Sequence, residues 1–176
     1  MESRQVLGFI ISKDGICLDP LNVKAIVNLP PPSSLHQLQS LQGKANFLCH
    51  FIPNYAGVAT GFTQLLKQGT GFAWDEASQN SFDDLKAILI NAPLLHRMNY
   101  YQDYFLYLAA TPRTITMVLV QDDGEGNKHV IYYLSSNLLD TEMCYAHVEK
   151  LDLATVQAIQ CFWHYILLRM TTMISK

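Results

Sequence analysis

The side chains best suited to chemistry stand in a few groups. Cys144-Tyr-Ala-His147 and Cys161-Phe-Trp-His164 repeat a C-x2-H spacing built from ligand types that zinc takes. Asp83-Asp84 and Asp122-Asp123 are adjacent carboxylate pairs, the donor type that hard divalent cations use in phosphodiester chemistry. Ser135-Ser136, Lys150 and the six histidines are candidate nucleophiles and bases, without a spacing that joins them into a triad. Tyr100-Tyr101 and Tyr132-Tyr133 could stack on nucleobases, although a strand edge or a core explains them as well. The glycines show neither G-x-G-x-x-G nor P-loop spacing.

The elements that must position these residues decide between the readings. Val6-Leu7-Gly8-Phe9-Ile10-Ile11 is an apolar run, and Asp14-Gly15 before Ile16-Cys17-Leu18 predicts a hairpin whose turn can take positive φ. Asp19-Pro20 opens a helix as N-cap and first residue, with Val23, Ile26 and Val27 on its apolar face, and Pro30-Pro31-Pro32 ends it. Ser33-Ser34 caps a second helix carrying Leu35, Leu38, Leu41, Ala45 and Leu48. Pro53 restarts the chain into a third, with Tyr55, Val58, Phe62, Leu65 and Leu66, running as far as Gly69. Asp75 caps a fourth, with Phe82, Leu85, Ile88 and Leu89, which ends at Ala92-Pro93.

From about Tyr104 the period changes. Residues 104–109, 115–121 and 129–135 are β-branched and aromatic, separated first by Pro112-Arg113 and then by a hydrophilic turn over residues 122–127. They predict an antiparallel meander. A long helix follows over residues 147–168, with Val148, Leu151, Thr155, Ile159, Phe162 and Ile166 as its stripe, and residues 171–175 begin another strand. The zinc reading fails on this layout. Along one helix, at about 1.5 Å per residue, His147 and Cys161 would stand roughly 21 Å apart. Asp83-Asp84 falls on a helix and Asp122-Asp123 in a turn, neither in a Tyr-x-Asp-Asp context, so both are expected to be solvated surface.

Composition bounds the rest. The chain has 176 residues, 49% apolar and 15% charged, with net charge −3, which supports a real core and excludes disorder. Residues 1–95 hold six basic and seven acidic side chains and the remainder six and eight, so no basic arm marks a stand-alone nucleic-acid binder. No apolar run reaches the ~20 residues of a membrane helix. The N-terminus shows no h-region, so an intracellular, non-secreted protein is expected. Cys17, Cys49, Cys144 and Cys161 then read as free, mostly buried thiols.

Several motifs together resemble one family, in collinear order over nearly the whole chain. Residues 7–16, Asp19-Pro20, Val23-Lys24-Ala25-Ile26 and Pro30-Pro31-Pro32 look like the segment after the reverse transcriptase palm in Ty3/gypsy-type retrotransposon polyproteins. Leu41-Gln42-Gly43-Lys44-Ala45-Asn46-Phe47, Phe51-Ile52-Pro53-Asn54-Tyr55, Phe72-Ala73-Trp74-Asp75-Glu76 and Ala92-Pro93-Leu94-Leu95 continue that likeness. Residues 105–110, 118–121, 130–135, Tyr145, 148–151 and 164–167 resemble the ribonuclease H-like domain of the same polyproteins, in wording nearest to plant elements.

The resemblance implies an α+β fold. An N-terminal β-hairpin and small helical thumb or connection region (1–95) would precede a truncated ribonuclease H-like β-β-β-α-β domain (96–176). It implies Mg²⁺ held by carboxylates in active members, at positions that here fall on Ala109, Leu151 and Lys176. Alanine and leucine offer no oxygen donor to a hard cation. The ligands are therefore not retained, and a degenerate, non-catalytic site is expected. Asp152 and Glu149 lie about 100° and 200° round the helix from Leu151, too far to stand in without turning the helix.

The implied role is a tether of the polyprotein that cradles an RNA–DNA hybrid, with Lys44, Lys67 and Lys86 as backbone contacts on exposed helix faces. The alternatives are an active ribonuclease H using Asp152, Glu149 or Asp122, and a gene-model remnant. A sheet that stops at its fourth strand also predicts self-association through the open edge.

Overall fold

The computed structural model describes residues 4–66, 72–167 and 169–175. Among them, two four-stranded sheets are joined by helices in an α+β arrangement, as expected. The first sheet has the order β1-β2-β3-β4: Arg4–Val6, Phe9–Ile11, Gly15–Leu18 and Leu95–His96, all antiparallel. The apolar run at residues 6–11 is thus two strands rather than one. Leu7 and Gly8, at φ 50° and 83°, form a positive-φ turn between them, while β2 and β3 make the hairpin expected around Asp14-Gly15. Gly8 is held there from outside its own hairpin: its carbonyl accepts from Asn22 Nδ2 at 2.9 Å. Gly15 instead permits close strand approach, since a Cβ there would meet the Leu95 carbonyl oxygen at 2.1 Å.

Helices α1 (Pro20–Val27), α2 (Leu35–Leu48) and α5 (Glu76–Ile90) begin where their caps predict. Asp19 accepts from the Leu21 N–H, Ser34 from Gln37 and Asp75 from Ser78. The expected third helix is broken into α3 (Tyr55–Val58), α4 (Thr60–Thr63) and a 3-10 turn (Gln64–Leu66). Thr60 and Thr63 hydroxyls bond back to the Ala56 and Thr60 carbonyls, competing with a regular ladder. Gly61 lies where a Cβ would meet Ser81 Oγ of α5 at 2.2 Å. The end expected at Gly69 lies outside the described residues. These helices bury Leu38, Leu41, Leu48, Phe62, Phe82, Leu85 and Leu89 in one core.

The second sheet has the order β7-β6-β5-β8, formed by Lys128–Asn137, Thr114–Asp122, Tyr104–Ala110 and Thr171–Ser175. β5, β6 and β7 make the expected meander, and β8 joins β5 in parallel after the crossover helix α6 (His147–Ile166). Leu106, Leu108, Ile115, Met117 and Leu119 alternate onto α6. A register shift between Leu119 and Val120 leaves Ile131 unpaired, so Ile131 and Tyr132 both join that core while Val130 and Tyr133 pack against the helical one. β7 therefore lies between the two cores.

The α6 stripe differs from expectation. Lys150, Ala154, Ala158 and Phe162 are the buried residues, whereas Val148 is 67% exposed. The two alanines let the helix lie close on the sheet, which turns the larger Val148 outward. Lys150 is buried and donates to the Pro112 carbonyl at 3.3 Å. None of the four thiols is buried: Cys17 and Cys49 are half-buried, Cys144 and Cys161 exposed. Cys144 lies just before α6 and Cys161 on its outer side, so neither is a core thiol as composition suggested. No helix among the described residues is long and apolar enough to cross a membrane.

Candidate functional site

The position that the resemblance gives to the first carboxylate, Ala109, pairs with Thr116 near the end of β5. Its neighbours Leu108 and Ala110 pack towards α6, so by strand alternation Ala109 faces the other side, where it is exposed. Leu151 sits on α6 and packs into the core beneath it. The structure does not bring the two together. Lys176 and Lys67 lie outside the described residues.

The nearby carboxylates have other partners. Glu149 accepts from the Ala146 N–H at 2.7 Å, closing the first turn of α6. Asp152 is exposed. Asp122 caps its own turn through the Gly124 and Gly126 N–H groups. Asp83 and Asp84 are exposed on α5, and Asp83 accepts from Gln79. Among the described residues no three His, Cys, Asp or Glu side chains are grouped to share a metal ion. The side chains at the family positions do not fit Mg²⁺, because a methyl and an isobutyl group present no oxygen.

Of the candidate nucleic-acid contacts, Lys44 is exposed on α2, between two shallow clefts. Lys86 is half-buried rather than exposed. Its ammonium donates to the Leu29 carbonyl at 2.8 Å and lies 4.1 Å from the centre of the Phe82 ring, tying α5 to the end of α1. Tyr132 is an internal residue: it lies edge-on to Phe162, and its hydroxyl is 3.1 Å from His50 Nε2. Burial pushes the Tyr132 hydroxyl up to about 12 and the His50 imidazole below its ordinary value. Tyr100 and Tyr101 are exposed, and Arg169 donates to the Tyr100 carbonyl while its guanidinium lies 5.9 Å from the Tyr101 ring.

Two features of the junction escaped the sequence. Asn54, with φ 50°, caps α3 and also accepts from the Thr116 and Thr114 hydroxyls of β6. Beside it, the Ala56 N–H donates to Ser135 Oγ of β7 at 2.9 Å. Between the first sheet and the end of α6 lies a cleft of about 430 Å³, walled by Phe9, Phe51, Ile131, Tyr132 and Tyr165. These contacts join residues up to 82 positions apart, and a single sequence carries no signal for such pairs. Asn54 before Tyr55 could have been read as a cap, since asparagine tolerates left-handed backbone.

A family model, the RNase H-like domain found in reverse transcriptase, matches residues 74–173. The chain belongs to that family. The matched span begins just before α5 and ends in β8, so it takes in the meander and α6. The chain is 35% identical over 162 residues to the retrovirus-related Pol polyprotein from transposon 297 of Drosophila melanogaster, covering 92% of this chain and 15% of that protein. It is 32% identical over 170 residues to the Pol polyprotein from transposon gypsy of the same organism, covering 90% and 16%. It thus spans under a fifth of the length of these relatives. The foamy viral protease-reverse transcriptase, solved in complex with an RNA/DNA hybrid, superposes with TM-score 0.85 over 98% of this chain and 24% of that one. At 23% identity, that likeness shows a shared fold.

Proposed function

We propose that this ribonuclease H-like region is a non-catalytic part of a Ty3/gypsy-type Pol polyprotein, a tether that helps hold an RNA–DNA hybrid. The observation that carries the reading is the chemistry and placement of Ala109 and Leu151. Neither side chain offers a donor, they lie on different sides of β5, and Glu149 and Asp122 are engaged in their own turns. Similarity to the gypsy and 297 polyproteins supports the element type; the plant assignment rests on motif wording alone. The division at residues 95 and 96 follows the change of period, although β4 crosses it to pair with β3.

The hybrid is the partner that the fold suggests, since the foamy viral enzyme carries this fold on RNA/DNA hybrid and on double-stranded DNA. Lys44 is the proposed backbone contact, with Lys67 as a further candidate. Lys86 already has a carbonyl partner and is expected to contribute less. Anisotropy of a labelled hybrid, titrated with the full chain over a salt series, tests this. Lys44→Ala should weaken binding and reduce the salt slope by about one. Absence of binding by folded protein at low salt would overturn the hybrid-holding role.

A second copy is also a proposed partner, through β8, which stands at the edge of its sheet among the described residues. Sedimentation should show concentration-dependent dimers that Met173→Lys weakens; a monomer at all concentrations would refute it.

A further inference from the structure

The outer strand of the first sheet meets the second sheet through an imidazole pair. His96 of β4 stacks on His129 of β7, with ring centroids 4.0 Å apart and planes inclined by 38°. His129 Nε2 stands 3.2 Å from Asp123 Oδ2, at the base of the β6–β7 turn. That carboxylate is itself fixed: Asn127 Nδ2 and the N–H groups of Glu125 and Asn127 donate to it. β4 is short: among the described residues its sheet register is Gly15↔His96 and Ile16↔Leu95, and Leu95 is also buried in the helical core.

We propose that His96, His129 and Asp123 form a proton-operated clasp between the two sheets, closed while the imidazoles are neutral and released when both are charged. Two imidazolium rings stacked at this distance repel, and Asp123, placed on His129, compensates the charge on that ring. The other charged groups nearby do not cancel the effect. Asp14, from the β2–β3 turn, favours charge on His96, but less strongly than burial and His129 oppose it, so His96 stays below the ordinary histidine value. Lys128, next to His129, turns its ammonium to the Tyr107 hydroxyl and the Phe105 ring. Arg97 follows His96 and lines the same 430 Å³ cleft.

The sign of the linkage follows. The folded chain binds a proton at His96 less readily than the unfolded chain does. The stability this contact contributes is therefore present above the ordinary value of 6.5 and is lost as pH falls through the lowered one. Release would free β4 from β7 and open the cleft that His96 and Tyr132 both line.

The test uses the full chain in two readouts, an NMR titration of the imidazole carbon-bound protons between pH 8 and 5 (~ordinary histidine range) and amide exchange followed by NMR. His96 should titrate below the ordinary histidine value, and His129→Gln should move it back up. After correction for intrinsic exchange rates, amides of β3 and β4 should exchange severalfold faster, relative to α5, on the acid side in the wild type, with a flat profile in His129→Gln. His96→Gln should give the same flat profile, so the exchange test stands even where one variant folds poorly. Titration of His96 at the ordinary value regardless of His129→Gln, or β4 exchange that tracks α5 throughout, would overturn the clasp.

Discussion

Replacing Asn54 separates three things that one side chain does at the junction of helices and sheet. It holds a left-handed backbone at φ 50°, caps α3 through the Gly57 N–H, and accepts from the Thr116 hydroxyl at 3.1 Å and the Thr114 hydroxyl at 3.4 Å. In Asn54→Ala the left-handed backbone costs about 1 kcal/mol, loss of the cap about 1 kcal/mol, and the hydroxyl contacts together about 1 kcal/mol. The sum, about 3 kcal/mol, corresponds to roughly 6–12 °C in Tm for a chain of this size. Asn54→Gly keeps the backbone and most of the capping preference, so it should cost about half as much. Asn54→Asp keeps both and should cost least. Thermal unfolding by circular dichroism gives the order. A glycine variant as unstable as the alanine variant would refute the backbone part of this reasoning.

Gly15→Ala should destabilise by about 3 kcal/mol, because the new methyl meets the Leu95 carbonyl and neither strand can give way without losing the β3–β4 register; denaturant unfolding checks it. Tyr55→Phe should be neutral or stabilising by up to about 1 kcal/mol in the same assay, since the Tyr55 hydroxyl is buried without a partner among the described residues and burial raises its pKa. Asp75 is held below the usual carboxylate range, first by the Ser78 hydroxyl and then by the Ser78 N–H. Its contribution is present above the ordinary 3.8 and fades as pH falls below it, so Asp75→Asn should keep the cap and show a shallower loss of stability with acid.

Local chemistry made much of this fold legible. Asp19-Pro20, Ser34 and Asp75 mark helix starts because their side chains satisfy N–H groups two or three residues away, and the meander follows from alternation and turn residues. What the sequence hid depends on partners far along the chain. Leu7-Gly8 looks like strand until Asn22 holds the Gly8 carbonyl. The α6 stripe was displaced because Ala154 and Ala158 weigh little as hydrophobes yet allow the closest approach to the sheet. Family resemblance is what points to Ala109 and Leu151 as the site positions. Its surroundings were not, because the pairs Asn54–Thr116 and His96–His129 exist only once the sheets are assembled.

The central claim is that this region holds a hybrid without cutting it. The most direct test is incubation of a labelled RNA–DNA hybrid with purified, folded chain in Mg²⁺ or Mn²⁺, against an EDTA control. The account predicts an intact RNA strand under every condition. Metal-dependent cleavage that disappears in Asp152→Asn would contradict it and place an active site on carboxylates other than those the family uses.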